Sequence, residues 1–239
     1  MDNTKLILPI KEMTVPAVIH ETASWLAMYK PPGLVVESNA YEASLEDWVE
    51  DHLNKTSKQP IVGVIHRLDR MTSGIILFAK KKWALKTFNL AFSKRLVQKD
   101  YLGLLPEHPM VGQGRLTHWL QKISGQFKVE ISQHPLPGYQ ECILDYNVLG
   151  DVGNFILVEI RLGTGRYHQI RAQFSQIGQP LVGDIIYGSR LTLPGNRIAL
   201  HAYRLGFEDP ETKQKLTLVC PPIKDEVWPI LPDYLYNLA

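Results

Sequence analysis

The chain lacks the features that would place it in a membrane or in an oxidising compartment. No uninterrupted apolar run approaches the ~20 residues needed to span a bilayer. Residues 1–10 carry Asp2, are apolar only in patches and lack the layout of a secretory signal. Cys142 and Cys220 stand far apart with no paired zinc spacing, so a reduced, cytoplasmic setting is expected. There is no Gly-x-Ser-x-Gly nucleophile elbow and no pair of histidines four apart. Internal repeats and low-complexity segments are absent as well. What remains is an ordinary globular composition over 239 residues, 45% hydrophobic and 21% charged, enough for one large domain or two small ones.

The net charge of +2 is small, but its distribution is uneven. Between His66 and Lys99, Arg67, Arg70, Lys80, Lys81, Lys82, Lys86, Lys94, Arg95 and Lys99 face Asp69 alone. Between Arg161 and Arg204 the only acid is Asp184. The two ends of the chain lean acidic. Positive charge concentrated in two segments suits a polyanion such as RNA or DNA if the segments meet.

Residues 1–20 read as an extended lead-in broken by Pro9 and Pro16. Ser24–Lys30 has strand character and ends at Pro31-Pro32-Gly33, which turns the chain; Leu34–Val36 resumes briefly. Ser44 to Asn54 reads as a helix, with Ser44 and Asp47 as a capping box and Leu45, Trp48, Val49 and Leu53 on one face. The apolar runs Ile61–Ile65 and Ile75–Ala79 read as strands. Lys82 to Lys99 reads as a long amphipathic helix with Leu85, Phe88, Phe92 and Leu96 inward. Lys99–Gly103 opens a strand, and 106–140 is irregular, with hairpins or an insertion expected. Ile143–Leu149, Phe155–Leu162, Ile198–Phe207 and Leu216–Val219 read as strands. Ile170, Phe174 and Ile177 form the apolar face of a short helix that Gly178 closes. Strands outnumber helices and alternate with them irregularly, which predicts an α+β fold with a mixed sheet.

Three polar clusters adjoin these strands: His66–Gly74, Gly163–Arg171, and Gly183–Gly188 with His201 beyond. A metal set drawn from His66, Asp69, His168, Asp184 and His201 lacks any specific ligand spacing. An Asp in a basic setting suits a different chemistry, acting as nucleophile or base toward a sugar–base bond, with a guanidinium holding it as carboxylate. Arg171 is a natural partner, Arg67 can contact phosphate or fill the gap left by an extruded base, and Tyr101 can cover a nucleobase and offer its hydroxyl.

His66-Arg67-Leu68-Asp69-Arg70-Met71-Thr72-Ser73-Gly74 resembles the signature of the RluA-type pseudouridine synthases. The likeness extends to Lys30-Pro31-Pro32-Gly33-Leu34, Lys99-Asp100-Tyr101, Gly165–Arg171 (similar to Gly-Arg-x-His-Gln-Ile-Arg), Gly183–Gly188 and Leu200-His201-Ala202, in that order. The resemblance implies a single catalytic domain over 1–239, built on a mixed, mainly antiparallel sheet with flanking helices and a central RNA-binding cleft. It implies isomerisation of a flipped-out uridine in tRNA or rRNA to pseudouridine, with no metal and no organic cofactor. Asp69 matches the catalytic Asp, Arg171 the arginine paired with it, and Tyr101 the tyrosine against the base. Arg67, Arg70, Arg166 and His168 match RNA-binding or loop positions, and Ile198 and Leu200 are expected either to floor the uracil pocket or to pack into the core. Tyr167 departs from the family pattern, which has a smaller or polar residue there. The chain reaches Lys30 too soon for the small N-terminal RNA-binding domain of many relatives, and a monomer is expected.

Overall fold

A computed structural model describes residues 4–7, 15–55, 59–109, 111–228, 231–232 and 235. In chain order, β1 (Thr4–Ile7), β2 (Ala17–Glu21) and β3 (Trp25–Lys30) precede helix α1 (Leu45–Asn54). Then come β4 (Gly63–Val64), β5 (Ser73–Ala79), α2 (Lys82–Ser93) and β6 (Gln98–Leu105). They are followed by β7 (Gln113–Lys122), β8 (Val129–Ser132), β9 (Gln140–Val152) and β10 (Phe155–Leu162). Helix α3 (Gln169–Gln176), β11 (Leu200–Glu208) and β12 (Lys215–Val219) complete the order. Of the lead-in, 1–3 and 8–14 lie outside the described residues, Pro9 among them.

The chain divides into two compact units. The first holds Met1–Lys99, Ala202–Ile223 and Pro232–Ala239; the second holds Asp100–His201 and Lys224–Leu231. In the first, the strands run β2-β3-β5-β11-β12-β1, with β4 on β5. β3 and β5 are buried along their whole length, as near-continuous apolar strands covered on both faces should be. Trp25 centres this core. Its ring meets Phe207 and Phe88 edge-on at 5.3 and 6.2 Å, and its Nε1–H donates to Asp209 at 3.1 Å. The second unit is an antiparallel sheet in the order β6-β10-β9-β7-β8, with α3 packed against β7 and β8. Leu120, Val129, Cys142, Ala172 and Tyr187 form one buried cluster there. The architecture is the expected α+β, mainly antiparallel; the β1/β12 pair is parallel. No helix among the described residues is long and apolar enough to cross a membrane.

Local expectations fare unevenly. Ser44 caps α1 in a full capping box with Asp47, and β10 has the bounds read from the sequence. Helix α2, however, stops at Ser93 rather than Lys99. Arg95 adopts a left-handed φ of 58° and its N–H returns to the Phe92 carbonyl, so Leu96 leaves the helix and is 69% exposed. The strand expected over Ile61–Ile65 shrinks to Gly63–Val64. At its C-terminal end a side chain intervenes: His66 Nε2 accepts the Leu77 N–H at 3.1 Å, a donor that a longer ladder would use. Leu34–Val36 makes a single bridge, Val35 to Ser44, rather than a strand. The 106–140 stretch holds the β7–β8 hairpin, and Ile177 lies beyond α3, more exposed than a core position.

Candidate active site

In the first unit, the His66–Gly74 loop runs from a half-buried His66 past the exposed Arg67 and Arg70 to a buried end at Thr72–Gly74. His66 stacks on Phe92 at 5.0 Å and accepts from the Leu77 amide. Burial, reinforced by Lys99, pushes its pKa down to about 3, so it is a neutral structural imidazole. The Thr72 N–H closes a turn onto the Asp69 carbonyl at 3.0 Å. Gly74 has a φ of 118°, and a Cβ there would collide with the Ala202 backbone, so only glycine lets the loop re-enter β5. Asp69 is half-buried between them.

The two loop arginines expected to contact RNA are exposed. Arg67 pairs with Glu37 at 2.7 Å and Arg70 with Glu42 at 2.9 Å. Such exposed pairs contribute about 0–1 kcal/mol, so a phosphate can compete for either guanidinium.

Lys30 holds this loop from below, a role the sequence reading did not assign. Its side chain is fully buried, and Nζ donates to the carbonyls of Pro31, Leu34 and Arg70 at 3.0, 2.7 and 2.9 Å. The Gly33 N–H reaches the same Arg70 carbonyl at 2.8 Å, and Arg70 Nε returns to the Gly33 carbonyl at 3.0 Å. The Lys-Pro-Pro-Gly turn and the Asp69 loop are therefore tied together. Burial brings the Lys30 ammonium down to about 7; the Asp69 carboxylate holds it up, and Arg70 presses it further down. A lysine closing an apolar strand just before a Pro-Pro-Gly turn was the available signal.

The second unit carries Tyr101, Arg166, His168, Arg171, Ile198 and Leu200. Tyr101 sits on β6 opposite Ile160 of β10 and is largely buried; its neighbour Asp100 receives Arg161 Nε at 2.8 Å. Leu200 opens β11 and Ile198 lies two residues before it; both are buried. Arg171, one turn into α3, is also buried. Its Nε and Nη2 donate to both oxygens of Asp184 at 2.7 and 2.8 Å, a bidentate pair of high directional specificity. Its Nη1 lies 2.8 Å from His168 Nε2. Gln169 folds the loop before the helix: Oε1 accepts the Arg166 N–H and the Thr164 hydroxyl, and Nε2 donates to the Ile143 carbonyl at 3.0 Å. Arg166 is exposed, its Nε 3.4 Å from the Glu141 carbonyl. His168 does not fit the RNA contact expected of it, since the ring is buried with both nitrogens engaged inside the protein. Among the described residues no three His, Cys, Asp or Glu side chains group to hold a metal ion; His66, Asp69, His168, Asp184 and His201 form no such group.

Known proteins resemble the chain in both sequence and fold. A family model described as RNA pseudouridylate synthase matches residues 24–176. An uncharacterized RNA pseudouridine synthase of Helicobacter pylori is 31% identical over 219 residues, covering 87% of this chain and 67% of the relative. The tRNA pseudouridine synthase C of Pasteurella multocida is 30% identical over 233 residues, 88% of this chain and 92% of that one. The ribosomal large subunit pseudouridine synthase C of Haemophilus ducreyi is 30% identical over 216 residues, 85% and 65%. The chain spans between 57% and 67% of the length of the first three curated relatives it matches. Among solved structures, the human RNA pseudouridylate synthase domain containing 4 shares the fold, with a TM-score of 0.72 at 21% identity over 88% of this chain and 89% of that one. The matched family covers the stretch that carries the Asp69 loop, Tyr101 and Arg171, and the chain belongs to the RNA pseudouridylate synthase family of RNA isomerases.

Proposed function

We propose that this chain isomerises a specific uridine of tRNA or rRNA to pseudouridine, with Asp69 as the catalytic carboxylate. The observation that carries this reading is the family match over 24–176, which contains the Asp69 loop together with Tyr101 and Arg171. In the reaction the target uridine leaves the stack and its N1–C1′ bond breaks. The uracil turns and C5 joins C1′, while the C5 proton is lost and N1 gains one. On the glycal path Asp69 takes the C2′ proton as N1 departs and returns it after C5 bonds; on the other path its oxygen attacks directly. The Lys30 tie supports the reading, because a carboxylate that must meet one ribose atom needs a loop with a fixed course.

Arg171 is proposed as the guanidinium that keeps Asp69 ionised, and Tyr101 as the ring against the uracil, with Ile198 and Leu200 under it. Arg67, Arg70 and Arg166 are proposed to take phosphates of the flanking RNA. The chain is proposed to act as one catalytic domain, a cytoplasmic monomer, without metal or organic cofactor. The test is incubation with total tRNA and rRNA from cells lacking the gene, followed by chemical mapping of pseudouridine. One or a few new pseudouridines are expected. No product from the intact chain, or activity abolished by a chelator and restored by a divalent ion, would overturn the reading.

A further inference from the structure

We infer that His168 is a positioning residue for Arg171, holding the guanidinium through a neutral imidazole instead of meeting the RNA itself. This rests on the reading that Arg171 acts in the reaction. The geometry is specific. His168 precedes α3 with a left-handed φ of 54°, a conformation uncommon outside glycine and found more often at histidine than at most other residues. The ring is buried, with Tyr167 stacked on it at 3.8 Å. Nε2 lies 2.8 Å from Arg171 Nη1 and Nδ1 lies 3.0 Å from the Tyr187 hydroxyl.

A guanidinium can only donate, so Nε2 must accept, and a neutral ring then carries its proton on Nδ1. That N–H is donated to Tyr187 Oη, which also accepts the Val129 N–H at 2.9 Å and is fixed by it. Arg171 is thus held on all three nitrogens, Nε and Nη2 by Asp184 and Nη1 by His168, with the Tyr187 ring 4.9 Å from Cζ. Asp184 sets the plane of the guanidinium, and His168 stops it from swinging within that plane. An imidazolium would set an N–H against the guanidinium. Burial first, then Arg171 and Lys122, oppose the charge and outweigh Asp184, holding the ring near a pKa of about 3.

The test uses the full chain and RNA isolated from cells lacking the gene, with single-turnover rate and RNA affinity measured separately. His168→Phe keeps the stacked ring and removes both nitrogens. The saturating rate is expected to fall about 10- to 100-fold with Kd unchanged within about threefold. His168→Gln, whose amide can accept from Arg171 and donate to Tyr187, is expected to recover most of that loss. Tyr187→Phe, which keeps the ring and removes the acceptor of Nδ1–H, should slow the same step and stands in if His168→Phe does not fold. Nitrogen-15 NMR of the wild-type ring at pH 5 should show a neutral imidazole protonated on Nδ1. A weakened Kd with an unchanged rate, equal rates for the Phe and Gln variants, or an imidazolium at pH 5 would each overturn the inference. Arg171→Gln serves as reference: if it keeps the wild-type rate, the reading of Arg171 fails. If it is inactive while His168→Phe is not slowed, only the role of His168 fails.

Discussion

Replacing Lys30 by Met removes a buried ammonium and keeps the length of its stem. The folded chain gives up the Lys30 proton near pH 7 because burial penalises the charge, whereas the unfolded chain holds it to the ordinary value of 10.5. Between those limits the unfolded state binds more protons, so stability rises with pH, by at most ~1.4 kcal/mol per unit. Below pH 7 both states are charged and the contribution levels off at its lowest. From pH 7 to pH 9.5, Lys30 alone therefore adds about 3 kcal/mol. Urea denaturation at those two pH values reads the effect. Lys99, also pushed down by burial, steepens the rise in both proteins, so the difference between them isolates Lys30. The wild type should gain about 3 kcal/mol more than Lys30→Met over this interval. Equal gains would refute the view that a desolvated ammonium ties the turn to the Asp69 loop. The Asp69 carboxylate now holds the Lys30 proton on, so Asp69→Asn should move the onset of the rise to lower pH.

Gly74→Ala puts a Cβ against the Ala202 backbone at a φ of 118°, where neither a rotamer change nor a flexible neighbour relieves the clash. A loss of at least about 3 kcal/mol is expected by thermal or chemical denaturation, and a change below 1 kcal/mol would contradict the packing described. Arg67→Ala removes an exposed cation that pairs with Glu37. It should weaken RNA binding uniformly across sequences and lower the slope of log K against log salt by about one; an unchanged slope would mean that Arg67 meets no phosphate.

Periodicity and capping made some elements legible. Phe155–Leu162 alternates cleanly and has the bounds expected, and the Ser44/Asp47 box marked the start of α1. The apolar spacing of α2 continues to Leu96, but a helix ends where the backbone turns, and the left-handed Arg95 is invisible to spacing. The run Ile61–Ile65 has strand composition, yet His66 takes the amide that its ladder would need, a contact that no local pattern encodes. The candidate site divides the same way. Motif order pointed to Asp69, Tyr101 and Arg171, while Asp184 as the bidentate partner of Arg171 and Lys30 as the support of the loop emerge only once distant segments are in place. The motif resemblance left His168 between RNA contact and loop structure, because exposed and buried histidines look alike in a string of letters.

Asp69 is proposed to perform chemistry and not merely to hold RNA. Asp69→Asn keeps the size and hydrogen-bonding reach of the side chain and removes the base or nucleophile. Single-turnover pseudouridine formation and RNA affinity should be measured side by side on the wild type and this variant. No detectable turnover is expected from the variant, with Kd within about threefold of wild type. Turnover that persists, or affinity lost in parallel with activity, would contradict it.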